Sequence, residues 1–218
     1  MSETETIRPR LVLLMTEPGH EDAEQRLVAA LSGGDVASVI LAGAGLDEAR
    51  FQAAAERLVP LIQEAGAAAI VADDTRCAGR VKADGIHLTG GDAEELADTV
   101  KRFSPKLIVG GSGFETRHEA LEAGEALPDY LFFGRFAGDT DEAPHRKTLD
   151  MAEWWAAIVE VPCIALGGSS VESLSAVAAT GAEFVALARA VFEAPDPAAA
   201  VARANAILDA AADEGASA

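Results

Sequence analysis

Two short apolar segments of the sequence end in carboxylates whose type and position suit metal chemistry. Asp73 and its neighbour Asp74 follow the segment AAAIVA, and Asp92 follows DGIHL after a threonine and a glycine pair. Such hard oxygen ligands suit Mg²⁺, which takes one or two protein carboxylates and completes its shell with water and substrate phosphate. The alternative for Asp92 is a helix cap, because the helical pattern DAEELADTVKRF begins there. Asp73, with Asp74 as its alternative, and Asp92 are thus the candidate catalytic and metal-binding residues.

A glycine-rich turn later in the chain has the composition of a phosphate-binding loop. The stretch LGGSS at 166–170 leads into a helical pattern, and an Ala-Arg pair follows the next apolar segment. Glycine lets backbone N–H groups approach an anion closely, and a guanidinium has a geometry suited to phosphate. The alternative is an ordinary turn in which a serine caps the following helix. The predicted phosphate-binding residues are Gly167, Gly168, Ala188 and Arg189.

Eight short apolar segments alternate with amphipathic helical patterns along the chain. Each segment is followed by Gly, Asp, Ser or Thr, as expected of strands that are buried on both faces. The alternation predicts an α/β fold, a (β/α)₈ TIM barrel in a single domain. An open doubly wound sheet is the alternative, but no GxGxxG or GxxxxGK loop follows the first strand. The predicted strands begin at Arg10, Val36, Ala67, Asp84, Lys106, Asp129, Pro162 and Glu183.

The barrel prediction gathers the candidate residues at one end of the molecule, because ligands bind at the carboxyl ends of barrel strands. Ser112 follows the fifth predicted strand, Arg135 follows the sixth, and Lys147 lies further along the segment after the sixth. These three side chains are candidate substrate contacts. His87 lies inside a predicted strand, so a ring packed against the barrel wall is favoured over a catalytic base.

Composition argues against several classes of function. A formal net charge of -19 argues against nucleic acid and membrane surfaces as partners, since both attract clustered Lys and Arg. Cys77 and Cys163 lack CxxC spacing, which argues against a disulfide framework or a zinc site. An acidic N-terminus and the lack of a long apolar run predict a cytoplasmic protein. The chain is predicted to form one domain over 1–218, with flexible tails at about 1–9 and 212–218.

Three stretches of the sequence carry a resemblance to a known family. They read VADDTRCAGRVKADGIHLTGGD, EALEAGEALPDYLFFGRF and VPCIALGGSSVESLSAVAATGAEFVALARAVF. This succession resembles the thiamine phosphate synthase superfamily, with its thiazole tautomerase relatives, from about Arg10 to Leu208. The resemblance implies a (β/α)₈ barrel that joins hydroxymethylpyrimidine diphosphate to thiazole phosphate using Mg²⁺. It also implies a phosphorylated small-molecule substrate and a homo-oligomer.

The resemblance assigns roles to individual residues. Asp73 matches the aspartate of the family's Asn-Asp pair, and Asp92 matches the strand-four aspartate that helps to bind metal and diphosphate. Gly167 and Gly168 match the glycine pair that holds the thiazole phosphate. Ala188–Arg189 occupies the matching turn after strand eight, where the family usually has Val-Ser or Ile-Ser.

Several positions depart from the family pattern. Ala42 and Ala44 stand where strand two normally supplies an Arg and a Lys to the diphosphate. Ala72 replaces the Asn of the Asn-Asp pair, and Gly90 replaces a Gln. The strand-six loop reads RFAGDTDEAPHRK in place of a Pro-Thr-x-Thr-Lys type sequence, with Lys147 or Arg146 as the substitute cation. Losing two diphosphate cations removes charge-assisted contacts that are each among the stronger hydrogen bonds in proteins.

The sequence leaves three hypotheses open. The first is a divergent thiamine phosphate synthase, and it is the one adopted. The second is a thiazole tautomerase-like isomerase, which needs a phosphate site but no diphosphate site. The third is a noncatalytic barrel that binds a phosphorylated ligand. Fold alone does not choose among them, because one barrel architecture hosts many chemistries.

Overall fold

The computed structural model describes residues 8–43, 45–138 and 140–215. Eight parallel strands pair in chain order and close into a barrel, with the first strand paired to the last. The predicted (β/α)₈ barrel is therefore confirmed. The strands are β1 (Arg10–Met15), β2 (Ser38–Leu41), β3 (Ala68–Ala72), β4 (Gly85–Leu88), β5 (Ile108–Gly111), β6 (Tyr130–Phe133), β7 (Cys163–Leu166) and β8 (Phe184–Leu187).

Helices cover the outside of the barrel. They are α1 (Ala23–Leu31), α2 (Glu48–Glu64), α3 (Thr75–Val81), α4 (Ala93–Phe103), α5 (Arg117–Gly124), α6 (Arg146–Ile158), α7 (Leu174–Ala178), α8 (Arg189–Phe192) and α9 (Pro197–Gly215), with a 3₁₀ turn at Val171–Ser173 before α7. Within the part of the chain described here, no helix has the length and apolar character needed to cross a bilayer.

The first described residues contact the last helix of the chain. Arg8 donates a hydrogen bond to Asp209 at 2.6 Å and another to the side-chain oxygen of Asn205 at 2.9 Å, so it is tied to α9. The helix itself continues to Gly215, past the predicted start of the C-terminal tail at 212. The alanine-rich sequence explains this continuation, because alanine has the highest helix propensity.

Strand side chains alternate between two apolar layers, as the period of two requires. One layer packs between the sheet and the helices and includes Leu11, Leu13 and Trp155. The other fills the barrel interior and includes Val12, Leu14 and Ile40. Both faces of each strand are therefore buried, which accounts for the nearly continuous apolar strand segments in the sequence.

An acidic residue directly before each of three even-numbered strands binds the backbone of the preceding strand. The bonds run from Ala69 N–H to Asp84 (2.8 Å), from Val109 N–H to Asp129 (2.7 Å) and from Cys163 N–H to Glu183 (3.0 Å). Each acid directly precedes the first residue of its strand. That first residue pairs with the residue that directly follows the one whose N–H is bonded. The carboxylates therefore fix strand register at the amino end of the barrel.

Replacing one of these acids tests that role. We expect Asp129→Ala to lower the free energy of unfolding by about 1–2 kcal/mol, because the backbone N–H of the buried Val109 loses a charged acceptor. Urea denaturation measures the change. The matched control is Asp98→Ala on the exposed face of α4, where a change within about 0.5 kcal/mol is expected. Equal stability of the two variants would show that the carboxylate contributes nothing to register.

Candidate functional site

Asp73 is held rigidly at the carboxyl end of β3 by the end of β4. Its backbone lies in the left-handed region at φ 59°, and its N–H donates to the carbonyl of His87 at 2.8 Å. Its carboxylate accepts from the Thr89 N–H at 2.8 Å and from the Thr89 hydroxyl at 2.7 Å. Asp tolerates the left-handed conformation better than most residues. Both carboxylate oxygens thus have fixed positions at the barrel mouth.

Asp92 acts as the N-cap of α4, which is the alternative that the sequence left open. One of its oxygens accepts from the N–H groups of Glu94 at 2.9 Å and Glu95 at 3.0 Å. Asp74 caps α3 in the same way. A metal-binding role for Asp92 therefore rests on its other carboxylate oxygen.

The glycine pair before Asp92 brings the loops after β4 and β5 into contact. Gly91 has φ 66°, and its N–H donates to the carbonyl of Ser112 at 3.0 Å. A Cβ atom on Gly91 would lie 2.6 Å from the carbonyl oxygen of Gly113. Glycine is therefore required here by both conformation and space.

A cleft of about 950 Å³ opens beside Asp73 and is predominantly acidic. Glu17, Glu48, Asp73 and Asp74 line it, whereas Arg76 is its single cationic side chain among the described residues. Ala42 also lines it at the position where the resemblance implies a cation, and Ala44 lies outside the described residues. A diphosphate in this cleft would require a metal ion to offset the carboxylate charge.

The donor set at this cleft is compatible with Mg²⁺ but not with a preformed metal cage. Among the residues that the structure describes, no cluster of three or more His, Cys, Asp or Glu side chains is placed to hold a metal. Mg²⁺ needs only one or two protein carboxylates when water and phosphate supply the remaining ligands. Each oxygen of Asp73 accepts one bond from Thr89 and so keeps a lone pair for such an ion.

A second cleft, of about 440 Å³, lies on the other side of Phe136, and we call it the basic cleft because two cations, Arg135 and Lys147, line it against one carboxylate, Glu115. Arg135, His145 and Lys147 line it with Ser112, so the structure brings together all three predicted substrate contacts. Lys147 Nζ lies 3.6 Å from a carboxylate oxygen of Glu115, and both side chains are more than half exposed. Phe136 and Thr89 line both clefts and mark where they meet.

A buried polar cluster lies in the barrel interior directly beneath this junction. His87 is completely buried, with Nδ1 2.9 Å from the hydroxyl of Tyr130 and Nε2 2.9 Å from the hydroxyl of Ser112. Its ring stacks on Phe136 with centroids 4.4 Å apart. Burial lowers the pKa of His87 to about 3, so the imidazole is neutral at physiological pH. This placement agrees with the prediction that His87 packs within the barrel.

The predicted phosphate loop after β7 has its backbone donors engaged within the protein. The N–H of Gly167 donates to Ala186 O at 2.8 Å, and that of Gly168 donates to Ser173 Oγ at 2.9 Å. The N–H of Ser169 donates to Asp141 O at 2.8 Å. These contacts differ from the expected open cradle, because the segment after β6 folds over the glycine pair.

The sequence predicts that Arg189 binds phosphate, but in the structure its guanidinium is paired with Glu193. The guanidinium donates to one Glu193 oxygen at 2.9 Å, and its Nε lies 2.7 Å from the other. The hydrogen bond and charge of Glu193 raise the pKa of Arg189, and Glu17 adds to the effect. Ser169 and Arg189 nevertheless line one pocket of about 280 Å³, so the two predicted phosphate segments meet. Ala188 is buried beside them.

Three residues of the site escape prediction from the sequence. Thr89 orients Asp73, Tyr130 contacts His87, and Phe136 separates the two clefts. The sequence contains a signal for the first two. Thr89 directly follows a predicted strand, and Tyr130 alternates with Phe132 on the inward face of β6. The position of Phe136 depends on the loop conformation, for which the sequence carries no periodic signal.

Comparison with known proteins identifies the family of this chain. The family model described as thiamine monophosphate synthase matches residues 11–191. A thiamine-phosphate synthase of Hyphomonas neptunium is 33% identical over 96% of this chain and 99% of that protein. Another, from Rhodospirillum centenum, is 36% identical over 84% of this chain and 88% of its own length.

The fold is also shared with a solved structure. Thiamine phosphate pyrophosphorylase from Pyrococcus furiosus superposes with a TM-score of 0.75 over 95% of this chain and 98% of that chain, at 24% identity. At this identity the superposition shows the barrel architecture, and the matches in sequence show the family. The chain belongs to the thiamine monophosphate synthase family.

Proposed function

We propose that this protein is a Mg²⁺-dependent thiamine phosphate synthase, which joins hydroxymethylpyrimidine diphosphate to thiazole phosphate. The observation that carries the proposal is the pair of clefts at the carboxyl ends of the strands. One is acidic and contains Asp73, the other is basic and contains Ser112 and Lys147, and they meet at Thr89 and Phe136. A metal-bound diphosphate needs both kinds of surface side by side.

The basic cleft supplies cations that strand two lacks. With Ala42 in the usual cationic position, positive charge near the diphosphate comes from Arg135 and Lys147, on the segment after β6. The contact between Lys147 and Glu115 is an exposed ion pair, which is worth little in stability. A diphosphate can therefore replace Glu115 as the partner of Lys147 at little cost.

The acidic cleft is the proposed metal site, with Asp73 as its protein ligand. Asp92 caps α4 and does not line this cleft, so the structure does not bring the two predicted metal ligands together in it. Bound there, Mg²⁺ supplies positive charge that offsets the charge on the departing diphosphate. Thr89 holds the Asp73 carboxylate in one orientation through two hydrogen bonds. Such support around a ligand reduces the reorganisation that accompanies binding.

Thiazole phosphate is proposed to bind at Gly167, Gly168 and the turn at Ala188 and Arg189. Phosphate can reach the Ser169 N–H only when the carbonyl of Asp141 leaves it. The exchange replaces a neutral hydrogen bond by a charge-assisted one, which is roughly twice as strong. Binding of phosphate is therefore coupled to opening of the segment at 140–143.

Asp73→Asn tests the metal and diphosphate site. The amide keeps an acceptor for Thr89 but loses the negative charge, so we expect kcat/KM for thiamine phosphate formation to fall by about 100-fold or more. The assay contains hydroxymethylpyrimidine diphosphate, thiazole phosphate and varied Mg²⁺. Asp98→Asn, on the exposed face of α4, is the matched control and should retain wild-type turnover.

Two outcomes would count against the proposal. Wild-type turnover by Asp73→Asn would remove this carboxylate from the site. If the wild-type protein showed no turnover while thiazole phosphate raised its melting temperature, the isomerase or the binding barrel would replace the synthase.

Gly168→Ala tests the contact that covers the phosphate loop. A Cβ atom at this position would lie 2.2 Å from the carbonyl oxygen of Glu142, so we expect the segment at 140–143 to be displaced. The Ser169 amide then loses its acceptor and should exchange its hydrogen faster, as measured by hydrogen–deuterium exchange. Gly90→Ala is the control, because its nearest neighbour would be 3.9 Å away. Unchanged protection of Ser169 would mean that the segment does not hold this N–H in solution.

A further inference from the structure

The arrangement of protons around His87 has a consequence for the basic cleft. A neutral imidazole carries one N–H and one lone pair, so one ring nitrogen donates and the other accepts. His87 is in contact with two hydroxyls, Tyr130 at Nδ1 and Ser112 at Nε2, both at 2.9 Å. Two arrangements are possible, and they differ in where the hydrogen of Ser112 points.

Tyr130 decides between the two arrangements. Its side chain is buried in the barrel, and desolvation raises the pKa of its phenol, so the hydroxyl keeps its hydrogen. Among the described residues, His87 Nδ1 is the hydrogen-bond partner of this hydroxyl. If Nδ1 carried the ring hydrogen, the phenol hydrogen would be buried without an acceptor, which is unfavourable. Tyr130 therefore donates to Nδ1, and the ring hydrogen is on Nε2.

The position of the ring hydrogen then determines the role of Ser112. The Nε2–H donates to Ser112 Oγ, which leaves the serine's own hydrogen available to a second partner. Ser112 lines the basic cleft with Arg135, His145 and Lys147, so that hydrogen is available where an anion is expected to bind. In the opposite arrangement Ser112 would donate to His87 and present only lone pairs, which repel an anion.

We propose that Tyr130 and His87 are positioning residues that fix the Ser112 hydroxyl as a hydrogen-bond donor to the diphosphate in the basic cleft. The inference rests on the proposed function for the identity of the anion. The relay is local, because Tyr130 lies on β6, His87 on β4 and Ser112 directly after β5, in adjacent parts of the barrel. Phe136 covers the imidazole face and keeps water away from it.

The first test locates the ring hydrogen directly. His20, His118 and His145 are exposed, so replacing all three by asparagine leaves His87 as the remaining histidine in a chain with four. Asparagine also preserves the cap that His145 makes on α6. In ¹⁵N NMR spectra of this full-length variant, we expect a protonated Nε2 and an unprotonated Nδ1. A hydrogen on Nδ1 would overturn the proposal whether or not the protein is a synthase.

The second test measures the effect on anion binding. Calorimetry with inorganic diphosphate and Mg²⁺ should show about 10-fold weaker binding for Tyr130→Phe and for Ser112→Ala, with little further loss in the double variant. Ser175→Ala, exposed on α7, is the control, and a cooperative thermal transition in each variant confirms folding. Unchanged affinity in Tyr130→Phe would overturn the positioning role. If the wild type bound no diphosphate, the proposed function would fail instead, and the NMR result would still decide the direction of the relay.

Discussion

Closure of the barrel is the constraint on which the rest of this structure depends. Eight parallel strands leave no sheet edge, and both of their faces are buried, so an inward polar side chain must find its partners among other inward side chains. The interior meets this requirement with aliphatic residues along most of its height and with one polar cluster at the top. His87, Ser112 and Tyr130 are almost fully buried and hydrogen-bonded to one another, just below the clefts that open to solvent.

The two ends of the barrel use carboxylates in different ways. At the amino end, Asp84, Asp129 and Glu183 each accept a backbone N–H of the neighbouring strand, so their charge supports the fold. At the carboxyl end, Asp73 accepts both of its bonds from Thr89 and still faces solvent. The same chemical group thus supports strand register at the amino end, whereas at the carboxyl end, where Asp73 is exposed, it remains available to ligands.

Much of this arrangement could be predicted from the sequence, and the limits have physical causes. The apolar segments and the turn residues predict the barrel, and the barrel in turn places Asp73, Ser112, Arg135 and Lys147 at one end. Arg189 and Glu193 are four residues apart, a spacing that favours an ion pair in a helical segment. A guanidinium directly after a strand is equally suited to phosphate, so the sequence does not choose between these two partners of Arg189. The contact of Asp141 with Ser169 joins residues from two different loops, and no local periodicity encodes such a contact.

The segment that covers Gly168 has a kinetic and thermodynamic consequence. If the phosphate loop binds only when this segment is open, the apparent dissociation constant equals the intrinsic one divided by the open fraction. Substitutions at 140–143 that never touch a ligand would then tune affinity by shifting that fraction. At high ligand concentration the observed association rate would level off at the rate at which the segment opens. The segment would then limit how fast phosphate binds without contacting the reacting groups.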